Sequence, residues 1–262
     1  PLIDGRSLFQ ETCLRFSNTT LFPFLTIVTH EDHKFLVRDQ LQELGILNAY
    51  ILTEPVAKNT AAACLLAAYF LKDKVGNVPL LFTPADHIII DEQYLFDAIT
   101  NAYPFVVDGA ICIFGITPTS PHTGYGYITG TESLGKGIVK PDAFIEKPNK
   151  EKAEELLKEG AFWNSGLYFC TPNTLIQESS IYIQTIQKPL ESYFKEALQM
   201  TQEFFVIDKE IYENLESISI DKGVTEHTKK LILAHTAINW SDLGSWSSLY
   251  NHFAKNEDGN VI

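Results

Sequence analysis

The sequence predicts a protein of the α/β class, in which helices pack on a β-sheet. Short apolar runs with the character of buried strands alternate with amphipathic or alanine-rich runs of helical length. The 262 residues are 45% hydrophobic and 12% aromatic, which is enough for a sizeable core and excludes a disordered chain. No internal linker divides the sequence, so we expect one domain.

The first half of the chain alternates strands and helices regularly. Phe35, Leu41 and Leu44 are expected on one side of its first helix. Asn59 or Thr60 is expected to cap the second helix, whose alanines suit close packing on a sheet. We predict strands over residues 23–29, 50–52, 78–83 and 110–116, and helices over residues 32–44, 59–71 and 92–102.

The second half has a looser pattern. Residues 118–137 are rich in Gly, Thr, Pro and Tyr, and we expect a substrate-facing loop with a hairpin there. Residues 162–165 are expected to precede a strand, either as a sugar-binding aromatic and amide pair or as a core Trp with Asn in a turn. We predict strands over residues 143–146, 166–170 and 232–239, and helices over residues 151–159 and 171–200.

Charge and cysteine usage exclude several classes of protein. The chain carries 33 acidic against 20 basic residues, a formal charge of −13, which argues against a nucleic-acid binder. The longest apolar run, residues 61–71, is shorter than the ~20 residues of a membrane span. The four cysteines are widely spaced without a CxxC pair, which favours buried thiols in a reducing cytoplasm over a zinc or redox motif.

Two aspartates follow apolar strands. Asp86 comes directly after residues 78–83, and Asp242 comes a few residues after the last strand. Ligands of open α/β sheets bind beyond the carboxyl ends of strands, so the two carboxylates are candidates to hold one divalent cation. The alternative is that each aspartate caps the following helix or turn.

Other polar residues lie in positions suited to phosphates and sugars. Glu146 and Lys147 end a short strand, where they form either a phosphate and hydroxyl site or an exposed ion pair. His87 either contacts a phosphate or bonds within its turn. Gly124 and Gly126 are followed by Gly130, which gives the spacing GxGxxxG rather than that of a dinucleotide-binding loop.

Seven stretches along the chain together resemble the sugar-1-phosphate nucleotidyltransferases, and among them the mannose-1-phosphate guanylyltransferases. They occur in the family's order and span nearly the whole chain. These are residues 5–12 (GRSLFQET), 54–61 (EPVAKNTA), 84–87 (PADH), 123–128 (TGYGYI), 144–148 (FIEKP), 163–166 (WNSG) and 240–246 (WSDLGSW).

The resemblance implies a Rossmann-like mixed sheet flanked by helices, the GT-A-like nucleotidyltransferase fold. It implies that GTP and mannose 1-phosphate give GDP-mannose and pyrophosphate with Mg²⁺, in a cytoplasmic homodimer that binds neither nucleic acid nor membrane. The implied catalytic residues are Asp86, Asp242 and Lys147, with both aspartates on the metal. The nucleotide would contact Glu54, Pro55, Asn59, Thr60, Ala85, Asp86 and His87, and the sugar Gly124, Tyr125, Gly126, Glu146 and Asn164.

The chain also departs from the family pattern. Lys58 stands where Arg is usual, and residues 219–224 keep only part of a family stretch. The family's first strand and its glycine-rich Arg/Lys loop are not found in residues 1–262. We therefore expect a single catalytic domain over residues 1–262 that lacks this strand and loop, with its C-terminal end leading toward an absent extension. A non-catalytic paralogue that binds sugar nucleotides as a regulatory subunit is the alternative.

Overall fold

A computed structural model of the chain describes residues 5–17, 20–196 and 204–242. Helices and strands alternate through this part of the chain, as predicted. The helices are α1 Leu8–Ser17, α2 Lys34–Glu43, α3 Asn59–Val75, α4 Glu92–Val107, α5 Lys150–Lys158, α6 Pro172–Tyr182, α7 Gln184–Glu196 and α8 Lys209–Glu213. The strands are β1 Thr26–His30, β2 Tyr50–Glu54, β3 Leu80–Phe82, β4 Ile88–Ile90, β5 Ile111–Ile116, β6 Tyr127–Thr129, β7 Glu132–Gly135, β8 Ile138–Lys140, β9 Ala143–Ile145, β10 Phe162–Cys170, β11 Phe204–Val206, β12 Leu231–Thr236 and β13 Asn239–Ser241.

The strands form a mixed arrangement, which confirms the α/β class. Eight strands make one sheet in the order β7-β8-β12-β5-β10-β6-β9, with β3 joined to β10. In it β12 runs parallel to β5, whereas β10 runs antiparallel to β5. A second sheet of parallel strands has the order β1-β2-β11, and β4 pairs with β13 on its own.

Strand β10 is the centre of the larger sheet. One edge pairs with β5, and the other pairs with β6 at its start and with β3 at its end. The register with β5 shifts between Asn164 and Tyr168, and Gly166 within this bulge has φ +75°. Bulges bend a strand and re-aim its side chains. Because four residues of straight strand span ~13 Å, this bend is what brings the Asn164 and Tyr168 side chains together.

The alanine-rich helix α3 lies in the largest apolar cluster of the molecule. Ala61, Leu65, Ala68 and Phe70 are buried there beside residues of β2, β5, β10 and α7. Small side chains on one helix face allow this close packing. A second cluster lies on the other side of the larger sheet, where α4 and α5 cover β5, β10 and β12. A third and smaller cluster joins α1 and α2 to the second sheet through Cys13, Val37, Leu41 and Ile51.

Several local predictions were wrong. Neither Asn59 nor Thr60 caps α3, because Lys58 is its N-cap residue without a side-chain hydrogen bond. Residues 162–165 are not a turn but the first part of β10, with Trp163 buried. Phe35 is exposed on α2 and packs edge-on against Phe204 at 5.5 Å between ring centroids.

The described part of the chain contains no helix with the length and apolar character of a membrane span.

Candidate active site

A cavity of about 1070 Å³ opens along the ends of β3, β6, β10 and β13. It is larger than most small-molecule sites, and apolar side chains make up most of its wall. Ten of the residues predicted for nucleotide, sugar or metal lie in that wall. They are Thr60, Ala85, His87, Gly124, Tyr125, Gly126, Glu146, Lys147, Asn164 and Asp242.

The β4–β13 pair places Asp242 near His87, the neighbour of Asp86 in the sequence. Ser241 lies opposite Ile88, so the ladder brings Asp242 to the position beside His87. Asp86, which is not part of the wall itself, has its Oδ1 3.9 Å from His87 Nε2, and three-quarters of its side chain is exposed. Burial lowers the pKa of His87, and the nearby carboxylates of Asp86 and Asp242 act against that shift. Both carboxylates thus act on the His87 ring, and a shared cation between them stays a prediction.

Aromatic rings support this site from one side. Tyr125 donates its hydroxyl proton to Asp242 Oδ1 at 2.9 Å and stacks on His122 with 4.0 Å between ring centroids. Trp240 packs edge-on against Tyr125, and its indole Nε1 donates to His87 Nδ1 at 3.2 Å. Burial, together with Asp242, raises the pKa of Tyr125, so its hydroxyl stays a donor. The rings fix the direction of Asp242 and His87.

Glu146 and Lys147 place both signs of charge in the cavity wall. Lys147 Nζ lies 2.9 Å from Glu146 Oε1; the Glu146 side chain is only 15% exposed, whereas that of Lys147 is 64% exposed. The hydrogen bond to Glu146 raises the pKa of Lys147, which keeps the ammonium charged. Lys147 also has φ +47°, a left-handed conformation that is uncommon for a residue with a side chain and clusters at functional sites.

The glycine before β6 makes room for these groups. A Cβ built on Gly126 would lie 2.8 Å from Glu146 Oε2 and 3.4 Å from Asn164 Cβ. The backbone N–H of Asn164 donates to Gly126 O at 2.8 Å. Three of the predicted sugar-binding residues therefore surround one small space.

The predicted nucleotide residues divide into two groups. Thr60 lines the cavity, and its hydroxyl accepts from the Ile220 backbone N–H at 2.9 Å. Glu54, Pro55 and Asn59 are not part of the cavity wall. Glu54 ends β2, where burial raises its pKa and the hydroxyl of Tyr212 donates to it.

The donor set fits a hard, weakly bound cation. Within residues 5–17, 20–196 and 204–242, no three His, Cys, Asp or Glu side chains come together as a closed metal cage. Mg²⁺ is bound by one or two carboxylates and completes its shell with water and substrate phosphates. Asp86 and Asp242 are the residues predicted to supply such carboxylates.

A family model decides the relationship of this chain to known proteins. Residues 1–259 match the model described as nucleotidyl transferase. The chain belongs to the nucleotidyl transferase family. Members of this family typically use a divalent metal, in agreement with the two carboxylates of the site.

Several curated relatives of this nucleotidyl transferase carry the name mannose-1-phosphate guanylyltransferase. This chain is 34% identical to a mannose-1-phosphate guanylyltransferase of Sinorhizobium fredii over 100% of its own length and 51% of the relative. It is 36% identical to a protein of the same name from Escherichia coli over 100% of this chain and 57% of the relative. A Xanthomonas campestris protein named xanthan biosynthesis protein XanB is 33% identical over 55% of its length. The chain thus spans about half the length of the curated relatives it matches.

Solved structures confirm the nucleotidyltransferase fold. A Thermus thermophilus structure named mannose-1-phosphate geranyltransferase superimposes with a TM-score of 0.82 at 26% identity, covering 97% of this chain and 71% of that one. A Helicobacter pylori structure named mannose-6-phosphate isomerase gives 0.79 at 30% identity, covering 91% of both chains. UDP-glucose pyrophosphorylase bound to UDP-glucose shares the fold at 17% identity, with a TM-score of 0.57.

Two side chains in the cavity wall were missed by the sequence analysis. Asp221 and Tyr168 both line the cavity. Asp221 accepts a hydrogen bond from the predicted sugar residue Asn164, and Tyr168 donates a hydrogen bond to Asp221. Residues 219–224 carried a signal, because they retain part of a family stretch, but their departures from it hid the role of Asp221. Tyr168 gave no signal, because it reads as an ordinary apolar strand residue.

Proposed function

We propose that this chain carries the catalytic domain that transfers GMP from GTP to mannose 1-phosphate, with Mg²⁺, giving GDP-mannose and pyrophosphate. The observation that carries the proposal is the single cavity wall that unites Gly126, Glu146 and Asn164 with Lys147 and Asp242. The curated relatives named mannose-1-phosphate guanylyltransferase support the choice of nucleotide and sugar. In the reaction, a phosphate oxygen of the sugar bonds to the α-phosphorus of GTP, and the bond to the pyrophosphate oxygen breaks.

The residues act by holding charges and hydroxyls in place. Lys147 offers a permanent positive charge to phosphate oxygens, and release from Glu146 leaves that carboxylate free to accept from a sugar hydroxyl. Asn164 offers an amide beside it, and the absent side chain at Gly126 lets the sugar approach the backbone. Asp86 and Asp242 would hold Mg²⁺, which supplies charge neutralisation on the phosphates when it is bound. Glu54, Pro55, Asn59, Thr60, Ala85 and His87 are proposed around the nucleotide.

Pyrophosphate release tests the proposed reaction. The purified chain is mixed with GTP, Mg²⁺ and mannose 1-phosphate, and we expect pyrophosphate only when all three are present. Mannose 6-phosphate alone is a separate arm, because one structural relative is named as an isomerase of that sugar. A folded chain that turns over no pair of nucleoside triphosphate and sugar 1-phosphate contradicts the proposal. Binding of GDP-mannose without turnover favours the regulatory paralogue. A homodimer in the cytoplasm remains a prediction.

The cavity supports the prediction that the catalytic domain has one more strand. Among the described residues, β1 pairs only with β2 and β3 only with β10, while Ile27 and Leu81 of these strands both line the cavity. The hydroxyl of Thr26 on β1 is buried without a hydrogen-bond partner. Unpaired strand edges and a buried lone hydroxyl are costly. The catalytic domain is therefore proposed to hold one further strand between β1 and β3.

Supplying this strand should stabilise the domain. We expect a fusion of the family's first strand and glycine-rich loop ahead of residue 1 to raise the thermal midpoint by about 10 °C, because a few newly buried apolar side chains contribute ~2 kcal/mol each. Cys64, which lines the cavity, should also react more slowly with a thiol reagent. The control is the same segment with two prolines in its strand, which cannot pair. Equal midpoints and equal Cys64 labelling of both fusions contradict the proposal.

A further inference from the structure

Asp221 begins a one-turn π-helix, Asp221–Thr225, and lies in the cavity wall. Single turns of this kind are rare and often lie at functional sites. The segment before it is held by the start of α3, because Thr60 Oγ1 accepts from Ile220 N at 2.9 Å and Ala61 N donates to Ile218 O at 3.2 Å. Asp221 thus stands between the proposed nucleotide side and the proposed sugar side of the site.

One oxygen of this carboxylate receives both side chains that the β10 bulge brings together. Asn164 Nδ2 donates to Asp221 Oδ1 at 2.8 Å, and the Tyr168 hydroxyl donates to the same oxygen. A carboxylate only accepts hydrogen bonds, so the amide of Asn164 must turn its NH₂ group toward Asp221. The Oδ1 atom of Asn164 accepts from the Gly166 backbone N–H at 3.2 Å. The orientation of the Asn164 amide is therefore determined at both ends.

The position of this carboxylate is unfavourable for folding alone. Burial raises the pKa of Asp221, the charge of Glu146 adds to the rise, and the hydrogen bonds from Tyr168 and Asn164 only partly oppose it. A partly buried acid whose charge is raised in energy by a second acid costs stability. A residue kept at such a cost in a cavity wall points to a role in the site rather than in the core.

We infer that Asp221 is a positioning residue for the sugar subsite, which fixes the amide of Asn164 so that it can read a hydroxyl of the sugar held beside Glu146. The inference rests on the proposed function for the identity of the sugar. It adds a residue that acts through Asn164, and it explains why a bulged strand is built at this point of the wall. Tyr168 contributes by donating a second hydrogen bond to the same oxygen of Asp221.

Binding measurements separate this inference from the proposed reaction. GDP-mannose and GDP are titrated separately into wild type, Asp221→Ala and Asp221→Asn. The dissociation constant for GDP divided by that for GDP-mannose is the ratio that reports the mannose contacts. We expect Asp221→Ala to reduce this ratio about tenfold while the dissociation constant for GDP changes less than twofold. Asp221→Asn keeps an acceptor oxygen and should restore most of the ratio. Tyr168→Phe, which leaves the bond between Asp221 and Asn164 intact, should cost less than threefold.

A double-mutant cycle shows whether Asp221 acts through Asn164. In an Asn164→Ala background, replacing Asp221 by Ala should have no further effect on the ratio, because the group that it positions is gone. Fully additive effects, an equal loss for GDP and GDP-mannose, or no difference between Asp221→Ala and Asp221→Asn overturn the inference. A wild type that binds GDP and GDP-mannose equally also overturns it. Absence of turnover with intact discrimination sinks the proposed reaction alone. Should Asp221→Ala not fold, Asp221→Leu, which also removes the acceptor oxygen, takes its place in the same cycle.

Discussion

Asp242→Asn is expected to lower turnover of GTP and mannose 1-phosphate by about 10³-fold, with an unchanged thermal midpoint. The substitution keeps the size of the side chain and an oxygen that can accept from Tyr125. It removes one of the two charges near His87 that are proposed to hold Mg²⁺. Metal-based charge stabilisation is worth several kcal/mol, and ~4 kcal/mol corresponds to about 10³ in rate.

Pyrophosphate release at saturating substrates measures this effect. Asp142→Asn is the matched control, because Asp142 is an exposed aspartate outside the cavity wall and should leave the rate unchanged. Tyr125→Phe removes the hydrogen bond but keeps the charge of Asp242, so a loss within about tenfold is expected. Retention of more than a tenth of the activity in Asp242→Asn would falsify the assignment of this carboxylate to the metal. Added Mg²⁺ should not rescue the variant if the charge itself is required.

Gly126→Ala is expected to raise the KM for mannose 1-phosphate about 100-fold and to leave the KM for GTP within twofold. The added methyl group would lie 2.8 Å from Glu146 Oε2 and 3.1 Å from Phe144 Cζ, so the carboxylate must move. Displacing a positioned group by ~1 Å can cost about 10² in rate or binding. The stability cost should be small, because Gly126 has no positive φ and alanine restricts the unfolded chain.

Initial rates at varied concentrations of each substrate separate the two KM values. Gly124→Ala places the same methyl group two residues earlier, 2.9 Å from His122 Cε1 rather than beside Glu146. Because an imidazole at the end of a side chain can rotate away, this variant should have a smaller effect on the sugar phosphate. Equal changes in both KM values for Gly126→Ala, or a larger effect of Gly124→Ala, would assign the sugar to another part of the cavity.

The strand-end rule accounts for what could be predicted of the site. Asp86 and Asp242 each follow an apolar strand, and ligands of α/β sheets collect at such ends, so the position of both near His87 follows from local pattern and general topology. The strands of the core could be predicted from their continuous apolar runs. Residues 111–116 are buried at every position, and such an uninterrupted apolar run is typical of a strand in a sheet that is covered on both faces.

The bulge and the π-turn could not be predicted. A glycine in a strand pattern does not say whether the strand bends there, and at Gly166 the bend decides that Asn164 and Tyr168 reach one carboxylate. Asp221 lies in a single turn without periodicity, which leaves no pattern to read. The short strand β4 was not predicted for another reason. Its three isoleucines form a strand by pairing with β13, which lies about 150 residues later in the sequence.

That return has a consequence for the growing chain on the ribosome. Proteins are made from the N-terminus, and their segments fold as they emerge. Asp86 is synthesised early, but its partner carboxylate is carried by the segment that follows β12 and is aligned by the register of Ser241 with Ile88. A nascent chain that ends before β13 can already bury most of the core around α3, yet it leaves β4 without a partner and the cation site with one carboxylate. The proposed capacity to bind a metal–nucleotide complex would therefore arise only after β13 has been synthesised, once the sheet that carries the site has formed.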